Sequence, residues 1–540
     1  MVDVDVLVAG AGPVGLTAAS ELARRGVSCR VVDRLPARLP YARAVGVQPR
    51  TLEIWDRMGM VREALETAVP LKGQLLYVNG EEGPRIDLRL PPEVPYGFAA
   101  LPQYETERLL EDLLIRRGGQ VERGTELLSF EQDADEVRAI LSLPGSGTEE
   151  LTARYLVGCD GAHSAVRKGL GLSFEGAALP EEYMLGDVEV DWDLPDGYAL
   201  RASRVADGQT DDILVCIPLP GVKRYRMSMA TPPELSRTPP GDGDGVAHGL
   251  SGDQGPVPGI GHIQAVLDRL SPRSTTASSL RWSSVFRISH RIVGRYGRGR
   301  VFVAGDAAHI HPPTGAQGMN TGVQDAFNLA WKLAAAVHGH ARAGLLESYD
   351  AERRPIGEEV VARTLRHVRS GIQGDPDDPE TLMLREAQLL MGYRGSPVVA
   401  PGGSAPEGPA PGDRAPDCGG LLHALGAFPV RLFTLLRERE HTLLLYADAE
   451  NRPTSFDEVA TAAARAAHGL LNTCVVLAPR LPDPAPRLPT VHDSLGEFRR
   501  AYGARGGEAI LVRPDGYVGM RAAPADGPEV RTYLESLFAV

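Results

Sequence analysis

The stretch Val4-Asp5-Val6-Leu7-Val8-Ala9-Gly10-Ala11-Gly12-Pro13-Val14-Gly15 opens the chain and decides how its first domain is built. Residues 4–9 have the length and β-branched content of a short buried strand. From Pro13 to Arg25 the spacing turns helical, with Val14, Leu16 to Ala18, Leu22 and Ala23 on one apolar stripe. Gly26 stops that helix, and Cys29–Val32 predicts a second strand ending at Asp33. In such a βαβ unit the first glycine permits a tight turn and the second lets backbone approach a pyrophosphate. The third lets helix pack on strand, and an acid ending the second strand can accept from ribose hydroxyls. Gly10, Gly12, Pro13, Gly15 and Asp33, which lies 18 residues after Gly15, therefore predict a dinucleotide site. A bare glycine turn with a chance acid downstream is the weaker reading, and the motif does not distinguish FAD from NAD(P).

Two more short apolar strands run into a glycine and an aspartate. Residues 151–157 lead to Gly158-Cys159-Asp160-Gly161-Ala162-His163-Ser164-Ala165-Val166-Arg167. Residues 301–304 lead to Gly305-Asp306-Ala307-Ala308-His309-Ile310-His311-Pro312-Pro313-Thr314-Gly315-Ala316-Gln317-Gly318-Met319-Asn320. Asp160 can tie loops over a cofactor, and Asp306 ends a strand where it can accept from ribityl or ribose hydroxyls. The run from Gly315 to Asn320 enters a helix whose N–H groups would favour negative charge. His309 and His311 are read as structural, and no metal constellation is visible.

Between these motifs, about 181–290, alternation in Ile213–Ile217 and Tyr225–Met229 predicts an antiparallel sheet. Tyr225, Met227 and Met229 share one face of a strand, and Arg224, Arg226 and Ser228 the other. Which face meets a ligand is not readable, and a Met/Tyr stripe is more often core. The Gly/Pro/Asp-rich segment 237–259 reads as a mobile loop. Helices are expected from about Asn320 to Val337 and from about Gly344 to Arg369, then a Pro/Gly-rich linker at 396–416. Residues 417–540 alternate strands and helices as a small α/β unit.

Composition narrows the partners. The 540 residues are 43% hydrophobic and carry a net charge of −13, which argues against a nucleic-acid partner. Five scattered cysteines without CxxC fit a reducing cytoplasm. The acidic N-terminus is unlike a secretory signal, and no apolar run reaches the ~20 residues of a membrane span; even Leu329–Val337 is interrupted by Lys332. The expectation is a cytoplasmic protein with no membrane partner.

With the three motifs in this order and spacing, residues 1–390 resemble the group A FAD-dependent aromatic monooxygenases, the para-hydroxybenzoate hydroxylase-like family, in its aromatic polyketide hydroxylase branch. The segment Tyr502-Gly503-Ala504 followed by Ala509 to Gly519 resembles the thioredoxin-like C-terminal appendage of that branch, here without CxxC. The resemblance implies an α/β fold: a Rossmann-like, glutathione-reductase-type FAD domain at 1–180 and 281–395, interleaved with an antiparallel substrate sheet at 181–280. Residues 70–105 would add to the substrate layer, 396–416 would link, and 417–540 would be the thioredoxin-like domain.

It also implies tightly held FAD, NADPH or NADH as a transient reductant, O2, and an aromatic, polycyclic polyketide-type substrate hydroxylated through a flavin C4a-hydroperoxide. A homodimer is allowed for. Baeyer–Villiger insertion or oxidative rearrangement on the same scaffold, and a non-catalytic flavin-binding protein, are the alternatives. Carried over residue by residue, Arg34, Arg43, Ala44, Gln103, Leu127, Asp160, Asp306, Gly318, Met319 and Asn320 would join the glycine motif in holding FAD. The Pro313 carbonyl would position substrate, with Tyr225, Met227 and Met229 as substrate contacts. Asp33, a shorter acid of the same chemistry, stands where relatives commonly have Glu.

Overall fold

Val6, Leu7 and Val8 are completely buried, so the strand Val4–Ala9 occupies the centre of its sheet rather than an edge. In this computed structural model, residues 2–40, 44–145, 147–207, 209–236, 257–370, 376–402, 407–449, 456–481, 487–525 and 527–539 are described. The parallel order is Val121–Arg123, Cys29–Asp33, Val4–Ala9, Thr148–Gly158 and Val301–Val303. The first half of Thr148–Gly158 also closes an antiparallel meander with Glu126–Gln132 and Val137–Ser142. That meander is why this strand begins earlier than its apolar run alone predicts. The helices Pro13–Arg24 and Gly318–Val337 contribute to the same core as this sheet.

A second sheet is ordered His309–Ile310, Ala277–Val293, Phe174–Val190, Arg224–Ala230, Gln209–Pro218, Tyr198–Ala206, Gly73–Val78. Gly73–Val78 brings part of the 70–105 region into this layer by parallel pairing with Tyr198–Ala206. The expected boundaries at 180 and 281 do not hold as breaks. Phe174–Val190 and Ala277–Val293 are long strands that cross them, staying paired through irregularities near Ala178–Glu182. Of the segment expected to be a mobile loop, 237–256 lies outside the described residues; the remainder leads into the helix Ile260–Leu270.

The C-terminal sheet runs Leu421–His423, Thr490–Asp493, Leu471–Leu477, His441–Ala447, Glu508–Val512, Val518–Ala522. His441–Ala447 and Leu471–Leu477 are parallel across the helix Phe456–Ala466; Glu508–Val512 and Val518–Ala522 are antiparallel and followed by the helix Gly527–Leu537. A βαβ unit and a ββα unit therefore share one sheet. All five cysteines are free. Among the described residues no helix is long and apolar enough to cross a membrane.

The region expected to be a linker, 396–416, is instead bonded to this sheet where it is described. Ala400 N–H donates to Gly519 (2.9 Å), Gly412 N–H to Val518 (2.7 Å) and Ala415 N–H to Gly516 (2.9 Å). Its Pro and Gly content serves a tightly turned strap, because backbone beside a sheet edge can satisfy its polar groups there.

The lysine that interrupts the apolar run of the helix Gly318–Val337 sits at the seam with this domain. Arg513 donates to both oxygens of Glu352 (2.6 and 2.8 Å) and to Asp515 (2.5 Å). Lys332 donates to Glu352 (2.8 Å), Asn328 to Glu352 and Asp515 (2.7 and 3.0 Å), and Trp331 to Asp515 (3.2 Å). None of these six residues is more than 3% exposed. Two cations meet two carboxylates, so the cluster is neutral only while complete. Arg513→Met should cost about 3–5 kcal/mol through the uncompensated buried carboxylate left behind. Thermal unfolding checks this, and a loss under about 1 kcal/mol would contradict it.

His441 lies beside it, edge-on to Trp331 and Phe538 at 5.2 and 5.3 Å. Burial pushes its ring down to about 3. The unfolded chain takes up this proton below pH ~6.5 and the folded ring does not until about 3. Stability should thus fall as pH drops through that window, by up to ~1.4 kcal/mol per unit for this group. His441→Leu should flatten the acid limb of a melting-temperature profile.

Candidate functional site

The fingerprint glycines answer to different neighbours. Gly10 has φ +101°, and a Cβ there would stand 2.3 Å from the Cys159 carbonyl oxygen. A Cβ at Gly15 would stand 1.9 Å from the Gly10 carbonyl oxygen. Both are required by contacts within the chain. Gly12 is extended (φ −75°, ψ −177°), and a Cβ there would meet no protein atom within 4 Å. The space beside Gly12 is therefore open, and its backbone can be approached closely by a bound group. The helix Pro13–Arg24 that starts here has neither a side-chain cap nor an acid in its first turn. Its free N–H groups and positive dipole end suit a phosphate.

The third motif meets the first at Val14. A Cβ at Gly305 (φ +60°) would lie 2.8 Å from Val14 Cγ2, and one at Gly322 would lie 2.7 Å from the same methyl and 3.0 Å from Gly305 Cα. Gly10 against Cys159 brings in the second motif. Three segments more than a hundred residues apart thus converge on one glycine turn. The helix Gly318–Val337 also begins without a side-chain cap or first-turn acid.

Asp33 is already engaged. Its Oδ2 accepts from Ala11 N–H (2.7 Å) and its Oδ1 from Leu35 N–H (2.8 Å), so it holds the glycine turn. Asp160 Oδ2 accepts from Ala165 and Val166 N–H (2.7 and 3.2 Å), while Oδ1 is buried with no hydrogen bond among the described residues. Burial pushes its carboxyl up. A buried acceptor without a donor is costly, and its nearness to the glycine turn fits a ligand hydroxyl or water there.

Asp306 lies in the single turn Gly305–Ala307. Asp325, which the sequence reading did not single out, positions that turn by accepting from Gly305 N–H (3.1 Å), Arg353 Nε (2.8 Å) and, through the same Oδ2, facing His309 Nε2 (2.9 Å). Against the upward pull of burial, Arg353 and His309 hold its carboxyl below the usual range. His309 is 1% exposed. His311 stacks parallel to it at 6.2 Å, has Nδ1 on the Pro312 carbonyl (2.9 Å), and is pushed down to about 4 by burial and by His309.

The loop before the long helix is tied down by Asn320. Its Nδ2 donates to Gly46 (2.9 Å) and Ala316 (2.6 Å) carbonyls, and its Oδ1 accepts from Gln48 N–H (2.9 Å). That side chain is consumed by the protein, leaving the backbone of Gly318, Met319 and Asn320 as the part able to meet a ligand. Pro313 is exposed, and its carbonyl accepts from Ala316 N–H (3.0 Å). Gln103 and Ala44 are bonded reciprocally, Gln103 N–H to the Ala44 carbonyl (3.0 Å) and Ala44 N–H to Gln103 Oε1 (3.1 Å). Leu127 is buried in the main core, Arg34 is exposed, and Arg43 lies outside the described residues.

Tyr225, Met227 and Met229 require a correction as substrate contacts. They are at most 8% exposed and pack with Trp192, Ile263, Val266 and Leu267 beneath the helix Ile260–Leu270. The opposite face, with Leu185, Val215, Ile217 and Ser228, is only half-buried, and its Ile217 packs with Val45 and Tyr104 of the first domain. A sheet has two faces, and the helix takes one.

Residues 3–238 and 261–364 match the family model described as FAD binding domain. The chain is 33% identical over 549 aligned residues to a flavin-dependent monooxygenase of Mycobacteroides abscessus, covering 99% of each. It is 31% identical to pentachlorophenol 4-monooxygenase of Sphingobium chlorophenolicum, over 96% of this chain and 94% of that one. Among solved structures it is similar to aklavinone-11 hydroxylase in a ternary complex with FAD and aklavinone, with a TM-score of 0.77, 26% identity and 99% of both chains covered.

The contrast between the glycines is testable without ligand. Gly15→Ala should destabilise the apoprotein by more than about 3 kcal/mol, because the clash is with backbone and cannot be relieved by a rotamer. Gly12→Ala should change apoprotein stability by less than about 1 kcal/mol. Equal losses in denaturant titrations would contradict the assignment.

Proposed function

The chain belongs to the FAD binding domain family of flavoprotein monooxygenases, and on that premise we propose that it places one oxygen atom of O2 on an aromatic ring held between the second sheet and the loop 313–320. FAD, when bound, takes reducing equivalents from NADPH or NADH and activates O2. The protein's share is to bind, orient and keep water out. The observation that carries the reading is the contact of Val14, in the first turn of one uncapped helix, with Gly305 and with Gly322 near the start of a second uncapped helix.

In this reading Gly10, Pro13 and Gly15 shape the turn, and Gly12 with the first-turn N–H groups receives the pyrophosphate. Asp33 keeps a lone pair on each oxygen for ribose hydroxyls while it braces the turn. Arg34 and the Leu127 backbone would meet the adenine, and Ala44 and Gln103 would contact FAD. Asp160 and Asp306 accept from cofactor hydroxyls. The backbone N–H groups of Gly318, Met319 and Asn320 favour negative charge on the flavin's pyrimidine edge. The Pro313 carbonyl has a second lone pair for a substrate hydroxyl.

We take the substrate to be a polycyclic, polyketide-type ring, supported by the aklavinone complex of the solved relative and by the breadth of the half-buried sheet face. The unit 417–540 is read as a thioredoxin-like domain without CxxC whose role is structural. The free cysteines support a cytoplasmic location.

Asp306→Ala should weaken FAD retention about tenfold to hundredfold, the worth of a charge-assisted hydrogen bond, read as the ratio of flavin to protein absorbance after gel filtration. Wild-type affinity in that variant would remove Asp306 from the site. Polycyclic phenols should stimulate NAD(P)H oxidation and yield a product heavier by one oxygen. An unstimulated rate across such a panel would contradict the substrate class.

A further inference from the structure

The half-buried face of the second sheet is a set of cross-strand rows. One row runs Ser284, Leu185, Ser228, Val215, Arg201, Leu76; the next runs Trp282, Asp187, Arg226, Ile217. The rows are two residues apart along each strand, roughly 7 Å. Apart from the arginines and Asp187, they offer aromatic, aliphatic and small hydroxyl groups, a wall suited to a flat ring system.

The arginines Arg201, Arg224 and Arg226 share this face, and two are occupied. Arg226 binds both oxygens of Asp187 (2.5 and 3.2 Å), with both residues under 5% exposed, and lies over the Trp282 ring at 5.1 Å. Arg224 donates to the Pro220 carbonyl (3.0 Å) and to Tyr104 Oη (3.3 Å). Arg201 makes no hydrogen bond or ion pair among the described residues, although it is half-buried. Its charge is felt across the sheet: burial and Glu181 push the Tyr183 hydroxyl up, and Arg201 pulls it down. The register places Arg201 on the face of Val215 and Ser228, opposite the buried Leu200.

A half-buried cation without a counter-charge has lost part of its hydration, and it favours an anionic partner. Asp187 cancels Arg226 and Arg224 is tied to Pro220 and Tyr104, which leaves Arg201 as the arginine of this face without a partner among the described residues. We propose that Arg201 is a specificity-determining residue that anchors an acidic oxygen of the ring substrate, a carboxylate or an ionised phenol or enol, about one strand row beyond the ring resting on Ile217. The assignment rests on the reading of this face as the substrate wall.

The test uses the FAD-loaded full-length protein and two probes, 1,8-dihydroxyanthraquinone and its 3-carboxylate, titrated against the visible spectrum of the bound flavin. Wild type should bind the carboxylate at least tenfold more tightly at pH 7, and Arg201→Gln should abolish that preference while changing affinity for the uncharged ring less than threefold. Arg201→Lys should restore part of it. If the anchored oxygen belongs to the ring, affinity for the uncharged probe should rise with pH through its phenol ionisation in wild type and not in Arg201→Gln. Parallel weakening of both probes, or no change in either, overturns the role of Arg201 while leaving the wall in place. Failure of wild type to bind either probe overturns the substrate reading together with it.

Discussion

Backbone-to-side-chain contact at Val14 is the constraint on which the rest depends. A methyl group of the first helix sits where any side chain at Gly305 or Gly322 would have to go. That contact can form only if the strand ending at Val303, the helix from Gly318 and the glycine turn are packed without intervening atoms. The convergence positions two helix N-termini and two carboxylates around one place, and each brings a property that is weak alone. A helix dipole contributes a fraction of a kcal/mol at an exposed end, and a glycine turn is common. Brought together in a partly dry site they become selective for a phosphorylated, hydroxyl-rich cofactor.

A second layer holds the first in place. Asp325 braces the Asp306 turn through Gly305 and is itself held by Arg353 and His309. Asn320 spends its whole side chain tying the loop ahead of it to Gly46, Ala316 and Gln48. Such buried polar networks are unforgiving, since losing one member strands the others. They make rigid supports for backbone groups that must meet a ligand. The seam at Arg513, Glu352, Lys332 and Asp515 applies the same logic between domains, which is why the C-terminal unit is fastened to the flavin-side helices rather than tethered by a linker.

The second sheet divides its labour by face. The methionine stripe beneath the helix Ile260–Leu270 gives a dry core, and the alternate residues are left half-buried toward the first domain. Period-two alternation therefore gives the same strands a dry face and a half-buried face, and the two cannot be told apart until the covering helix is seen.

The glycine fingerprint, its following helix and Asp33 were legible because each is local: a strand, a turn and a helix read from spacing within about thirty residues. The aspartates at 160 and 306 were legible for the same reason, as strand ends. Hydrophobic periodicity likewise announced the antiparallel sheet and the long helix. What the chain order could not reveal were relations between distant segments. Examples are Asp325 as the brace of Gly305, Asp187 as the counter-charge of Arg226, the strap at 396–416 and the face of the sheet that the helix Ile260–Leu270 covers. Local geometry follows from backbone sterics and side-chain period, which a sequence carries explicitly. Pairing of charges and choice of buried face depend on which elements meet in space, and only tertiary packing decides that.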